Sequence, residues 1–113
     1  MNKKTIALFV VMVMSLPVNI VTHECVHFLQ YEAEPNVEIT EFVPIIPNTL
    51  EWVNAAGYIK GRFTGNASDE FKEEWMSGHV GREIQAGVFG FIAQIAFLWL
   101  VMAKISPKIM GVG

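Results

Sequence analysis

Thr22-His23-Glu24-Cys25-Val26-His27-Phe28 closes a long apolar run and contains His-Glu-x-x-His. On a helix, residues four apart share a face, so His23 and His27 can both turn an imidazole nitrogen toward one metal ion, with Glu24 beside it. Zinc (Zn2+) takes nitrogen ligands tetrahedrally, its catalytic sites keep one position for water, and the ion lowers the pKa of that water toward neutrality. A carboxylate that is not itself a ligand can then accept the proton of the water as general base, the role expected of Glu24. A charged residue and two histidines beside an apolar run of membrane length are costly unless they have work to do, which argues against coincidence. Cys25 turns to a different side of the helix from the histidines and is expected as a small apolar filler.

The run before the motif, Thr5 to Thr22, is 18 residues without a charge, preceded by Met1-Asn2-Lys3-Lys4. As a helix it covers about 27 Å, close to the hydrocarbon thickness of a bilayer. A basic start before an apolar stretch is also how a cleaved signal peptide looks. No small-x-small cleavage site follows Leu16-Pro17, however, so a retained membrane helix over residues 5–31 is expected. Pro17 should kink it one turn before the motif and free a carbonyl near the metal site. Asn19, His23, His27 and Gln30 follow one another at spacings of four, four and three, a single polar stripe that should face protein and not lipid.

Composition fits this reading. With 113 residues the chain has room for one domain, 1–113, and 52% hydrophobic residues with a mean hydropathy of +0.39 is high for a soluble protein of this size. The net charge is −3 and the basic residues are scattered, so no nucleic-acid surface is expected. The single cysteine excludes an intrachain disulfide framework.

From Glu32 to Glu74 the character changes, with nine acidic residues against three basic ones and prolines at 35, 44 and 47. Val37 to Val43 alternates imperfectly and Tyr58 to Thr64 is similarly β-prone, so two or three short strands are expected within residues 36–65. Ser68-Asp69-Glu70 starts an amphipathic helix over 69–77, with Phe71 and Trp75 a turn apart, which either packs on the protein or lies along the membrane surface. A second apolar helix follows over 80–105, with Arg82 and Glu83 at its start, Lys104 in its last turn and Gln94 as its one strongly polar interior residue. His79, Glu83, Gly87, Gly90 and Gln94 fall in a narrow sector of it, and small residues there let another helix approach closely. This stripe is expected to face His23 and His27. The fold class is therefore a mainly α membrane protein: two transmembrane helices form an antiparallel hairpin, with a small β-containing insert and an amphipathic helix between them. Lys3, Lys4, Lys104 and Lys108 flank the apolar helices while the segment between is acidic, which predicts that both termini lie in the cytoplasm; Arg82 runs against the rule. The plasma membrane is the expected location.

The order of these features resembles the site-2 protease family of intramembrane zinc metalloproteases. An apolar helix ends in His23-Glu24-Cys25-Val26-His27, a short β-containing segment with Ala55-Ala56-Gly57-Tyr58 follows, and Arg82-Glu83-Ile84 leads into a second helix. That helix carries Ala86-Gly87-Val88-Phe89-Gly90-Phe91-Ile92-Ala93-Gln94, similar to a family signature in which an Asn lies four residues after a Gly. Gly90 and Gln94 keep the spacing, with Phe91 where the family has Pro and Gln94 where it has Asn, and the resemblance implies that they bind substrate, Gln94 holding a carbonyl. The family's third zinc ligand is an Asp within an Asp-Gly motif; here the sole Asp, Asp69, precedes Glu70. Either another residue completes the site, or another chain supplies it, or the protein is a metal-binding relic. Among local residues Glu83 is the first candidate for third ligand, because it would complete a His-His-Glu site, and His79 the second.

The expected activity is a membrane-embedded zinc metalloendopeptidase acting on a peptide or membrane-protein substrate beside the lipid bilayer, with a homo- or hetero-oligomer left open. The alternatives are a catalytically inactive metal-binding interaction or regulatory protein of the membrane, and a secreted zinc hydrolase released by signal cleavage.

Overall fold

A computed structural model describes residues 2–109, with side chains as far as Lys104; Met1 and the Lys108 side chain, both used above, lie outside them. The chain runs α1 (Lys3–Glu32), β1 (Val37–Val43), a 3-10 helix (Thr49–Val53), β2 (Tyr58–Phe63), α2 (Asp69–Ser77) and α3 (His79–Ile109). Asn2 caps α1, its side chain accepting from the Thr5 N–H. The helix continues through Pro17. The carbonyl that a proline at this position leaves free is that of Val13, about 15 Å along the axis from His23, so it does not reach the motif as expected.

α3 packs antiparallel against α1. Gln30 meets Gln85, His27 meets Glu83, Asn19 meets Gly90 and Gln94, and Ser15 meets Gln94. Ala86 and Gly90 are buried in the seam, and a Cβ at Gly90 would lie 2.7 Å from Asn19 Oδ1 and 3.0 Å from the Asn19 carbonyl oxygen. Gly87, expected in this stripe, has open space beside it. Ala86 and Gly87 flank the sector through Glu83 and Gly90 on opposite sides, and α1 takes the Ala86 side.

The insert folds back along the end of α1. β1 and β2 pair antiparallel from Val37↔Phe63 to Val43↔Tyr58, with a bulge between Ile39 and Glu41 that leaves Thr40 as the extra residue and accounts for the imperfect alternation of β1. Across the strands Arg62 donates to Glu38 at 2.9 Å, and this bond and charge hold the exposed Glu38 carboxyl below its usual range. Phe42 packs tilted against Phe28 of α1 with ring centroids 4.9 Å apart, and Gly61 lies against the Tyr31 ring. Ser68 caps α2, and Phe71 and Trp75 pack onto Phe63 and Tyr31. α2 thus packs on the protein through these two rings.

The molecule measures 61 × 26 × 17 Å, too thin to cover both long helices. Their outer faces are bare: Phe9 is 66%, Phe91 60% and Trp99 70% exposed. Both helices are long and apolar enough to cross a membrane.

The seam makes opposite demands on two neighbouring glycines. Gly87→Ala should stabilise the fold by up to about 1 kcal/mol through helix propensity, whereas Gly90→Ala should cost about 1–3 kcal/mol through overpacking on Asn19. Thermal unfolding of the two variants should show shifts of opposite sign.

Candidate metal centre

His23 and His27 stand one turn apart on α1, their rings edge to face with centroids 4.9 Å apart. From the first turns of α3, Glu83 reaches both: Oε2 lies 3.5 Å from His23 Nε2, and Oε1 lies 2.9 Å from His27 Nε2. One ligand atom from each of the three residues can be chosen so that all lie within 4.8 Å of one another, a group able to hold a metal ion. The vertices of a tetrahedron with bonds of 2.0–2.1 Å are about 3.3 Å apart, so ligand atoms spread over as much as 4.8 Å would draw together around a single small ion.

His27 is nearly buried, 7% exposed, and its two nitrogens have different neighbours. Nδ1 faces Gln30 Oε1 at 2.8 Å. Nε2 is buried without a hydrogen-bond partner, although Glu83 Oε1 is only 2.9 Å away. The carboxylate oxygen therefore lies beside the ring nitrogen but off its in-plane axis. A buried nitrogen next to a carboxylate is an arrangement that a cation satisfies, and the residues present fit one.

Glu24 follows His23 directly and lines a cavity of about 240 Å³ with His27, Gly57, His79, Arg82 and Glu83. The backbone at Gly57 passes so close that a Cβ there would lie 2.9 Å from Glu24 Cγ and 2.7 Å from the Pro44 carbonyl oxygen, so only glycine fits. His79 shares the cavity but not the group of ligand atoms; Glu83 is the residue that joins the histidines. Arg82 lies over the Trp75 ring at 3.7 Å and donates from Nη1 to the Trp75 carbonyl at 2.8 Å, which pins the start of α3 beside Glu83.

Gln94 and Gly90, expected to bind substrate, lie in the helix seam and not among the residues lining this cavity. Gln94 Nε2 donates to Ser15 Oγ at 2.9 Å, and Gln94 Oε1 accepts from Asn19 Nδ2 at 2.7 Å. The residue stands about 16 Å along α3 from Glu83, which is why spacing within the helix alone could not bring it to the metal cluster. Three participants were missed. Ser15 continues the spacing of four that links Asn19, His23 and His27, Ala86 lies three residues after Glu83, and Gln30 belonged to the polar stripe without a role at the site. Cys25 is exposed, not a filler among apolar side chains.

Gln94→Leu should destabilise the hairpin by about 1 kcal/mol, because two interhelical hydrogen bonds go and the buried Ser15 hydroxyl loses a neighbour. Its metal content should equal that of the parent, as measured by elemental analysis beside a thermal melt. Comparison of the chain with protein-family models, with curated proteins and with solved structures finds no match.

Proposed function

We propose that the chain is a membrane-embedded zinc metallopeptidase of the site-2 type, hydrolysing peptide bonds near one face of the membrane. The observation that carries the reading is the buried, unpartnered Nε2 of His27 facing Glu83 at 2.9 Å with His23 alongside. A ring nitrogen and a carboxylate this close share a cation, either a ring proton or a metal ion, and a metal ion can also take up His23. Two imidazoles and one carboxylate make a three-ligand set that leaves a fourth position open, the pattern of hydrolytic zinc. When bound, the ion supplies a Lewis acid and an acidified water. Glu24, in the same cavity but outside the ligand group, accepts the proton of the attacking water and hands it to the leaving amine. The end of the sheet against Glu24 supports presentation of an extended peptide as an added strand.

Membrane insertion is supported by exposure. Only 6% of the apolar stretch of α1 and 11% of that of α3 are buried, the reverse of a core helix in a soluble protein. Retention of α1 is supported by its share of the site, since His23, Glu24 and His27 all belong to it. Both termini are cytoplasmic in this reading, on the basic residues flanking the two helices, and the plasma membrane is the proposed location.

A second reading is a catalytically inactive metal-binding interaction or regulatory protein of the membrane. It is favoured by the engagement of Gln94, whose amide is committed to Ser15 and Asn19 and is not free for a substrate carbonyl.

Protein purified in detergent should carry close to one zinc per chain. His23→Ala and His27→Ala should abolish this, and Glu83→Ala should weaken it far more than Glu73→Ala or Glu74→Ala, since a lost ligand cannot be replaced locally. Normal zinc in both histidine variants would remove the metal reading. Glu24→Gln should keep the metal and lose peptidase activity by about 10²–10⁴-fold, because an amide cannot take the proton. Activity that survives this change would remove Glu24 from the mechanism, and zinc binding by a parent protein that cleaves no peptide would favour the second reading.

A further inference from the structure

Gln30 stands one turn beyond His27 on α1, and its amide makes three contacts. Oε1 is 2.8 Å from His27 Nδ1, while Nε2 is 3.2 Å from the backbone carbonyl oxygen of Arg82 and 2.7 Å from Gln85 Oε1. The two ends of a glutamine amide are told apart by what they meet. Arg82's carbonyl can only accept, so the end of Gln30 that faces it must be the NH2 group, and Gln85 turns its own oxygen to the same group. The end that faces His27 is therefore oxygen. An amide oxygen can only accept, so Nδ1 of His27 must carry a proton. A neutral imidazole has one proton, and Nε2 is then bare, 2.9 Å from Glu83 Oε1.

We infer that Gln30 is a positioning residue that locks His27 in the tautomer able to bind a metal through Nε2, and that the Arg82 carbonyl sets the orientation of Gln30. This rests on the metal reading of the His23, His27 and Glu83 cluster. α3 then serves the site twice. Glu83 offers a carboxylate directly, and the residue before it, Arg82, acts on the ligand of the opposite helix through Gln30. Partners of this kind raise the basicity of the ligating nitrogen and fix the plane of the ring.

The test uses the full chain in detergent and two substitutions. Gln30→Glu keeps an acceptor toward Nδ1 and loses the amide donor; Gln30→Leu loses both. Zinc affinity is measured by competition with a chromogenic chelator. Gln30→Leu should bind about 10–100-fold more weakly than the parent, and Gln30→Glu should bind at least as tightly as the parent. Parent affinity in Gln30→Leu would overturn the inference, and so would equal weakness of both variants, since Gln30 would then be only a contact between helices. Nitrogen NMR of the His27 ring in the metal-free parent, at a pH where imidazole is neutral, gives a readout independent of metal and of how the variants fold. A proton on Nδ1 supports the inference and a proton on Nε2 overturns it. A parent protein that binds no zinc would reject the metal reading alone, with the tautomer still decided by the ring signals.

Discussion

Asn19 sits so tightly on the backbone of Gly90 that a single methyl group would not fit between them, and the register this contact imposes on the two long helices is what brings His23, His27 and Glu83 together. From Gly90 to Glu83 is about 10.5 Å along α3, and from Asn19 to His27 is about 12 Å along α1. The helices run antiparallel, so the two rises match within about one residue and the carboxylate arrives at the imidazole. Hydrogen bonds through Gln94 to Asn19 and Ser15 reinforce the crossing. Interhelical bonds of this kind average about 0.6 kcal/mol each in a membrane protein, so the steric fit at Gly90, which tolerates no slide, must supply most of the specificity.

Given that register, the charge arrangement at the cluster calls for a cation, and a proton is the simplest alternative to a metal. A doubly protonated His27 would donate to Gln30 and to Glu83 and leave nothing unsatisfied. His23 Nε2 lies 3.5 Å from the other oxygen of the same carboxylate, and a neutral His23 with its proton on Nε2 would donate there without a second charge. A single divalent ion would instead serve both nitrogens and the carboxylate from one point.

Most of the architecture was legible in the sequence because the signals are long or regularly spaced. The two apolar runs, the Ser68 cap before Phe71 and Trp75, and the polar residues of α1 at steps of three and four all specify element type and face. That reasoning also brought Glu83 to the histidines, since position along a helix translates directly into height. It could not say on which side of the Glu83 and Gly90 sector the partner helix lies, and so it named Gly87 where Ala86 is buried. It also gave Gln94 to a substrate by analogy, when an unpaired amide in an apolar helix is first of all a group that a facing helix will satisfy. The close approach of Gly57 to Glu24 was out of reach for a different reason. It depends on a bulge at Thr40 and on ring contacts between the hairpin and α1, all of them tertiary.

Those contacts make the insert part of the site. Tyr31 is held between Gly61 on one side and Trp75 on the other, Trp75 carries the Arg82 guanidinium, and the next residue along is Glu83. The carboxylate is therefore placed by packing from three elements, while the histidines are placed by their helix and His27 is further fixed by Gln30. A cluster set in this way before any ion arrives discriminates by span and by donor type. Calcium asks for six to eight oxygens at about 2.3–2.6 Å, and magnesium keeps most of its water. Two imidazole nitrogens, one 2.9 Å and the other 3.5 Å from different oxygens of a single carboxylate, make a nitrogen-rich donor set unlike the all-oxygen sets those two ions prefer.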